Sequence, residues 1–172
     1  MYEEAGNTET MLPPLDLFIG PEGEVIDLEQ EVSRAEFVYL LAKAFELQGD
    51  VHLELPFTDA DRIDSSVRDA VGAAVQEGIA AGWSDGSFRP DQPITRAELT
   101  AMLVKALQWP IIEATADNLT GFDQVPKWAE SYAATASVHQ LFTAGEDDRL
   151  AFNEPVTGAE TMLLLLQSLK LK

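Results

Sequence analysis

The chain has 172 residues, with 30 acidic side chains against 11 basic ones and a net charge of −19. A length of this order holds one domain or a compact array of small repeats, and the 46% of hydrophobic residues excludes a wholly disordered chain. The charge excludes sequence-independent binding to nucleic acid or to anionic membranes. The absence of cysteine excludes disulfides, thiolate metal sites and cysteine nucleophiles.

From the N-terminus, Met1 to Pro14 is acidic, lacks an apolar stretch and ends in two prolines, so residues 1–17 read as a tail or linker and not as a signal peptide. On that reading the chain is cytoplasmic, or is a mature fragment whose export signal has been removed. Residues 15–31 carry Pro21 and two glycines and no helical period. The apolar spacing of Phe37, Leu40, Leu41, Ala44 and Phe45 then predicts an amphipathic helix. A second is predicted over Ser65 to Ala81, with Val67, Ala70, Val71, Ala74 and Val75 on one face and Gly82 as its stop. A third follows through Leu99, Met102, Leu103, Ala106 and Leu107. A fourth is predicted over Trp128 to Ala144, stopped by Gly145, and a fifth runs through Met162, Leu163, Leu165, Leu166 and Leu169. The longest fully apolar run, Met162 to Leu166, is too short to span a bilayer.

The pattern is repetitive. Val32-Ser33-Arg34-Ala35-Glu36, Ile94-Thr95-Arg96-Ala97-Glu98 and Val156-Thr157-Gly158-Ala159-Glu160 are spaced 62 residues apart, and each precedes a predicted helix. Ser33, Thr95 and Thr157 each have a Glu three residues later, the signature of a capping box, and an apolar residue just before. Aromatic-plus-Asp segments, Phe57-Thr58-Asp59 and Phe122-Asp123, come before the helices predicted over Ser65 to Ala81 and Trp128 to Ala144. The division this suggests is a tail at 1–17, a partial unit at 18–50, a full unit at 51–110 and a divergent one at 111–172.

The middle unit resembles an S-layer homology (SLH) repeat. It is carried by Phe57-Thr58-Asp59, Glu77-Gly78-Ile79, Gly82-Trp83-Ser84-Asp85-Gly86-Ser87-Phe88-Arg89-Pro90 and Pro93-Ile94-Thr95-Arg96-Ala97-Glu98. The third unit matches through Phe122-Asp123-Gln124-Val125, Trp128-Ala129, Ala144-Gly145 and Pro155-Val156-Thr157, and the first only in its second half. The resemblance implies an all-α, pseudo-threefold assembly of helix–loop–helix repeats, with the second helices bundled at the centre. It implies grooves between repeats that bind secondary cell-wall polymer, often pyruvylated, and so anchor a surface protein non-covalently to the cell wall, with no cofactor.

Carried over residue by residue, the resemblance makes Arg96 and Arg34 the candidate ligand residues of the helix starts. A guanidinium beside free helix N–H groups is a carboxylate receptor, and a cation there otherwise opposes the helix dipole. The bland alternative is an Arg paired with a neighbouring acid. In the turn, Trp83 offers a flat face to a sugar ring, Ser84 a hydroxyl and Gly86 backbone N–H, while Asp85 is expected to fix the turn. Trp128 is expected in the core. Unit three has Gly158 in place of Arg and the acidic Gly145-Glu146-Asp147-Asp148 in place of the turn, so at most two grooves are expected to bind.

His52 and His139 lack a metal-ligand spacing, and Asp59, Asp61 and Asp64 fail the calcium-loop pattern, with Asp64 at the glycine position and Ala70 at the glutamate position. No nucleophile elbow, phosphate loop or dinucleotide fingerprint occurs, so the chain reads as non-enzymatic. The competing reading is a protein-interaction module that keeps the scaffold, has lost glycan binding and presents its acidic surface to a basic partner.

Overall fold

A computed structural model describes residues 15–50, 53–142 and 150–172. Within these the chain is mostly helical: α1 (Arg34–Ala44), α2 (Ser65–Gln76), α3 (Arg96–Ala106), α4 (Glu130–Val138) and α5 (Gly158–Leu171). Short 3-10 turns lie at Leu15–Phe18, Ala60–Arg62 and Lys127–Ala129. Two two-residue strands, β1 (Phe122–Asp123) and β2 (Leu150–Ala151), pair in parallel. The predicted tail Met1 to Pro14, His52 and the acidic turn at Gly145 lie outside the described residues.

The capping residues act as the spacing predicts. Ser33 and Thr95 each form both halves of a capping box, with Glu36 and Glu98, and the Thr157 hydroxyl accepts from the Glu160 N–H. The apolar residues before the caps are buried and meet in a ring. The Ile94 N–H donates to the Val32 carbonyl at 2.9 Å, Val156 to Ile94 at 3.1 Å and Val32 to Val156 at 3.1 Å. Three segments far apart in sequence thus close one cycle of backbone hydrogen bonds, which is the pseudo-threefold centre of the fold. The first N–H groups of each long helix are met by carbonyls of a neighbouring segment: Arg34 and Ala35 by Gln92 and Pro90, Arg96 and Ala97 by Glu154 and Phe152, Gly158 and Ala159 by Gln30 and Leu28.

Around this ring α1, α3 and α5 contribute Phe37, Leu41, Leu99, Leu103 and Leu165 to one core. The closest helix pairings are α1 with α2 and α3 with α4. The helix left over from the partial first unit is therefore covered by α2 of the next. The cost of the missing helix falls on α5 instead. Leu163 is 61% exposed, whereas its counterpart Ala101 on α3 is buried. A satellite core gathers Phe122, Phe142 and Phe152, with ring centroids 4.8–5.6 Å apart, over Ala97, Ala129 and Ala133.

Two helices are shorter than their patterns. α2 stops at Gln76 and not before Gly82, because Gly78 takes the left-handed conformation (φ 69°) and the N–H groups of Ile79 and Ala80 turn back to the Ala74 carbonyl. Trp128 falls in a 3-10 turn ahead of α4, which ends at Val138 where Gln140 goes left-handed (φ 57°).

The calcium-like acids have other duties. Asp64 caps α2 by accepting from the Ser66 N–H at 2.8 Å. Asp59 clasps the Phe88 and Arg89 N–H groups at 2.7 and 2.8 Å, fixing one loop to another beside the Phe57–Phe88 ring contact. Desolvation pushes the Asp59 carboxyl up, but those two donors outweigh it and hold it below the usual carboxylate range. A carboxyl depressed in the folded state contributes stability above its unfolded pKa of about 3.9, and loses it as pH falls through the folded value. Asp59→Ala should therefore melt at lower temperature by an amount equivalent to about 1 kcal/mol at pH 7. The deficit should shrink in melts taken below pH 4, whereas a pH-independent deficit would assign the loss to packing.

Candidate functional site

A groove of about 390 Å³ opens where the start of α1, the loop after α2, one face of α3 and the turn before α4 converge. Its floor is α3, since Glu98, Ala101, Met102 and Lys105 recur at helical spacing and all face it. Trp83 and Ser84 come from the loop after α2, Arg34 from the first residue of α1 and Trp128 from the 3-10 turn. The structure thus brings three predicted residues, Arg34, Trp83 and Ser84, to one place.

Trp83 is held by a chain of polar contacts. Asp85 accepts from the Ser87 N–H at 2.9 Å, the Ser87 hydroxyl at 2.6 Å and Arg89 Nη2 at 2.9 Å. These donors, the Ser87 hydroxyl foremost, hold the Asp85 carboxyl far below its ordinary range. Arg89 in turn lies 4.3 Å from the centroid of the Trp83 ring. Asp85 therefore fixes the turn, and Trp83 is a pre-oriented aromatic surface, 36% exposed. Gly86 does not line the groove. Its N–H donates to the Trp83 carbonyl and its own carbonyl accepts from Thr58, so its backbone serves the turn.

The arginines behave differently from the carboxylate-receptor expectation. Arg34 is 6% exposed. Its Nη1 meets Glu98 at 3.1 Å, its Nη2 meets the Ala81 carbonyl at 2.7 Å, and its guanidinium lies 5.0 Å from the Phe88 ring centroid. Burial lowers its pKa, opposed by Glu98. Arg96 is not in this groove at all. Its Nε and Nη2 grip Glu160 at 2.5 and 2.8 Å and its Nη1 donates to the Ala151 carbonyl. The free helix N–H groups proposed to share an anion with each Arg are also occupied, by the carbonyls of Gln92, Pro90, Glu154 and Phe152. The bland alternative describes both side chains: each Arg is a strut to the Glu of the following helix start, 64 residues on. The space on the Arg96–Glu160 side is smaller, about 190 Å³, and lined mainly by Leu141, Phe142, Leu150, Leu163 and Leu164.

Two groove residues escaped the sequence reading. Trp128, expected in the core, is 53% exposed and lines the groove. Its place at the predicted start of a helix was a signal that it sits at a helix edge. Lys105 sits one turn beyond Met102 on the face of α3 and lines the groove. His139 stacks on Trp109 with ring centroids 4.0 Å apart. Among the described residues no group of His, Asp or Glu is arranged to hold a metal ion, and no helix is long and apolar enough to cross a membrane.

Comparison with known proteins places these features. The S-layer homology domain model matches residues 56–100, which contain the Trp83 turn, Arg96 and Glu98. A surface-layer 125 kDa protein of Lysinibacillus sphaericus is 32% identical over 133 residues, covering 73% of this chain and 11% of that protein. A cellulosome-anchoring protein of Acetivibrio thermocellus is 27% identical over 156 residues, 88% of this chain and 35% of that protein. An endoglucanase of a Bacillus species is 28% identical over 94 residues, 55% of this chain and 10% of that protein. The chain spans about a third or less of the length of each of these relatives. With the ring of backbone hydrogen bonds, the helix pairs and the Gly-Trp-Ser-Asp-Gly turn all present, the chain contains an S-layer homology domain, matched at residues 56–100.

Proposed function

We propose that this chain is a non-catalytic module that anchors a surface protein to the bacterial cell wall by binding secondary cell-wall polysaccharide in the groove of Trp83, Ser84 and Trp128. The units 18–50, 51–110 and 111–172 act as one scaffold for that groove. The observation that carries the reading is that two tryptophans, one pre-oriented by Arg89, line one groove with Ala101 and Met102, with polar groups beside them. Flat aromatic faces beside hydrogen-bonding groups suit the C–H faces and hydroxyls of a sugar ring. The printed names of the surface-layer and cellulosome-anchoring relatives support the same reading. Arg34 acts as a wall of this groove, and Arg96 takes no part in binding.

The test is co-sedimentation with sacculi of the organism that makes the chain, before and after the secondary polymer is stripped. The expected result is retention that needs the polymer and falls about ten-fold or more in Trp83→Ala. The double variant Arg96→Met, Glu160→Gln should bind as the unmodified chain does. No retention on unstripped walls would overturn the reading and turn the search to a basic protein partner.

A further inference from the structure

The three long helices carry one matching stripe, and it is covered on two of them. On α3 the stripe is Ala97, Ala101 and Val104, all buried, with Ala97 clustered against Ala129 and Ala133 of the turn before α4 and of α4 itself. On α1 the matching Ala35 and Ala42 are buried on the helix that pairs with α2. On α5 the same positions hold Ala159, Leu163 and Leu166. Ala159 is exposed, Leu163 is 61% exposed and Leu166 is half-buried. The face without a cover thus carries leucines where α3 carries alanine and valine, and it continues to the exposed Lys170.

Two properties of this face say what fits it. The first is its spacing. Residues 159, 163, 166 and 170 follow one another by four, three and four, the seam of paired helices. That order reads the same from either end. Laid antiparallel on a copy of itself, the stripe sets Leu163 against Leu166 and Ala159 against the apolar stem of Lys170. The second property is charge. The Ala159 N–H bonds the Leu28 carbonyl, which brings exposed Asp27, Leu28 and Glu29 to the start of α5. The other end is basic. Lys172 lies 5.5 Å from the Phe45 ring centroid, and Lys170 has no acid within salt-bridge distance among the described residues. An antiparallel pair brings Lys170 of each copy to Asp27 and Glu29 of the other, and it opposes the two helix dipoles. Repulsion between two chains of net charge −19 is screened beyond about 8 Å at physiological ionic strength, whereas these end contacts are closer than that.

We infer that the uncovered face of α5 is a self-association surface, on which a second copy of this chain lays its own α5 antiparallel. The contact is isologous, so it closes at a dimer. It is separate from the groove of Trp83 and does not depend on what that groove binds.

Sedimentation velocity of the full chain at physiological salt, over a wide range of protein concentration, tests this. The expected result is a reversible monomer–dimer equilibrium. Leu163→Glu should weaken it about ten-fold or more, by bringing an unpaired carboxylate into the seam. Lys170→Glu should weaken it about ten-fold, by setting like charges opposite each other. Both positions are exposed, so both variants should melt with the monomer's unchanged temperature. Trp83→Ala should dimerise as the unmodified chain does. An equal mixture of Lys170→Glu and Glu29→Lys should recover the dimer, because both ends of the mixed pair then join opposite charges. A mixture no better than its parts would overturn the antiparallel pairing, and a dimer that Leu163→Glu leaves intact would place the contact elsewhere and overturn the inference. A chain that stays monomeric at every concentration also overturns it and gives the face to another occupant. A chain cut back to Leu15 that then dimerises would name residues 1–14 as that occupant; one that does not would name a different protein.

Discussion

Glu98→Gln should lower stability by about 3 kcal/mol, a fall of roughly 6–12 °C in melting temperature for a domain of this size. The substitution separates two functions of one side chain. Glutamine serves as well as glutamate in a capping box, so the start of α3 should survive. What goes is the countercharge to Arg34, a residue 6% exposed whose guanidinium would keep the Ala81 carbonyl and the Phe88 ring but no anion. An uncompensated buried charge is far more costly than the net worth of the pair that contained it. Two controls sharpen the result. Arg34→Met added to Glu98→Gln should recover much of the loss, because no charge is then stranded. Glu36→Gln, the same substitution at the first helix start, should cost nothing at neutral pH.

The contrast with Glu36 follows from the ring. Glu98 receives Arg34 and Glu160 receives Arg96, but the position that would serve Glu36 is Gly158. Glu36 has no ion pair among the described residues. Burial raises its pKa; the Ser33 N–H opposes this and Glu24 adds to it. For an acid raised in the folded state, ionisation penalises folding above the folded pKa, and the penalty disappears below the unfolded value of about 4.3. Glu36→Gln should therefore match or slightly exceed the unmodified chain at pH 7 and lose that advantage in melts near pH 4. Equal destabilisation by Glu36→Gln and Glu98→Gln at pH 7 would refute the strut account.

Local signals were legible in the sequence wherever they were strong. The apolar residues Val32, Ile94 and Val156, the caps after them and the helices that follow are set by side chains within four residues of one another, and α1, α3 and α5 begin where the pattern places them. Harder to read were features that depend on what one unit presents to the next. Arg34 and Arg96 were candidate ligand residues on the resemblance and on their place beside free helix N–H groups; the acids that engage them lie 64 residues away. That offset, the 62-residue period plus two, was present in the sequence, but period alone does not say that neighbouring helix starts touch. Trp128 was misread for the same reason, since its surroundings are supplied by α3 and by the loop after α2. The stop of α2 was visible in Gly78 and was overlooked in favour of the later Gly82.

Gly158 should prove intolerant of any side chain, including the arginine that its counterparts carry. In an unobstructed helix, replacing Gly by Ala gains up to about 1 kcal/mol. Here an added Cβ would lie 3.0 Å from the Asp27 carbonyl carbon, closer still to its oxygen, and 3.1 Å from Ile26 Cγ2. The obstacle is mainly backbone, and it is pinned on the far side: the N–H groups of Gly158 and Ala159 hold the Gln30 and Leu28 carbonyls, each at 2.9 Å. To admit a side chain the 26–30 segment must withdraw, and those hydrogen bonds close the ring between α5 and α1. At the other two junctions Arg34 and Arg96 fit beside the segments that cap them. Gly158→Ala should therefore destabilise against its propensity, and Gly158→Arg should cost about 3 kcal/mol even though it carries a partner's charge toward Glu36. Chemical-denaturant melts of the two variants decide the point. A stabilised Gly158→Ala would mean that the segment yields freely, and the closed ring would then not be what holds the third junction together.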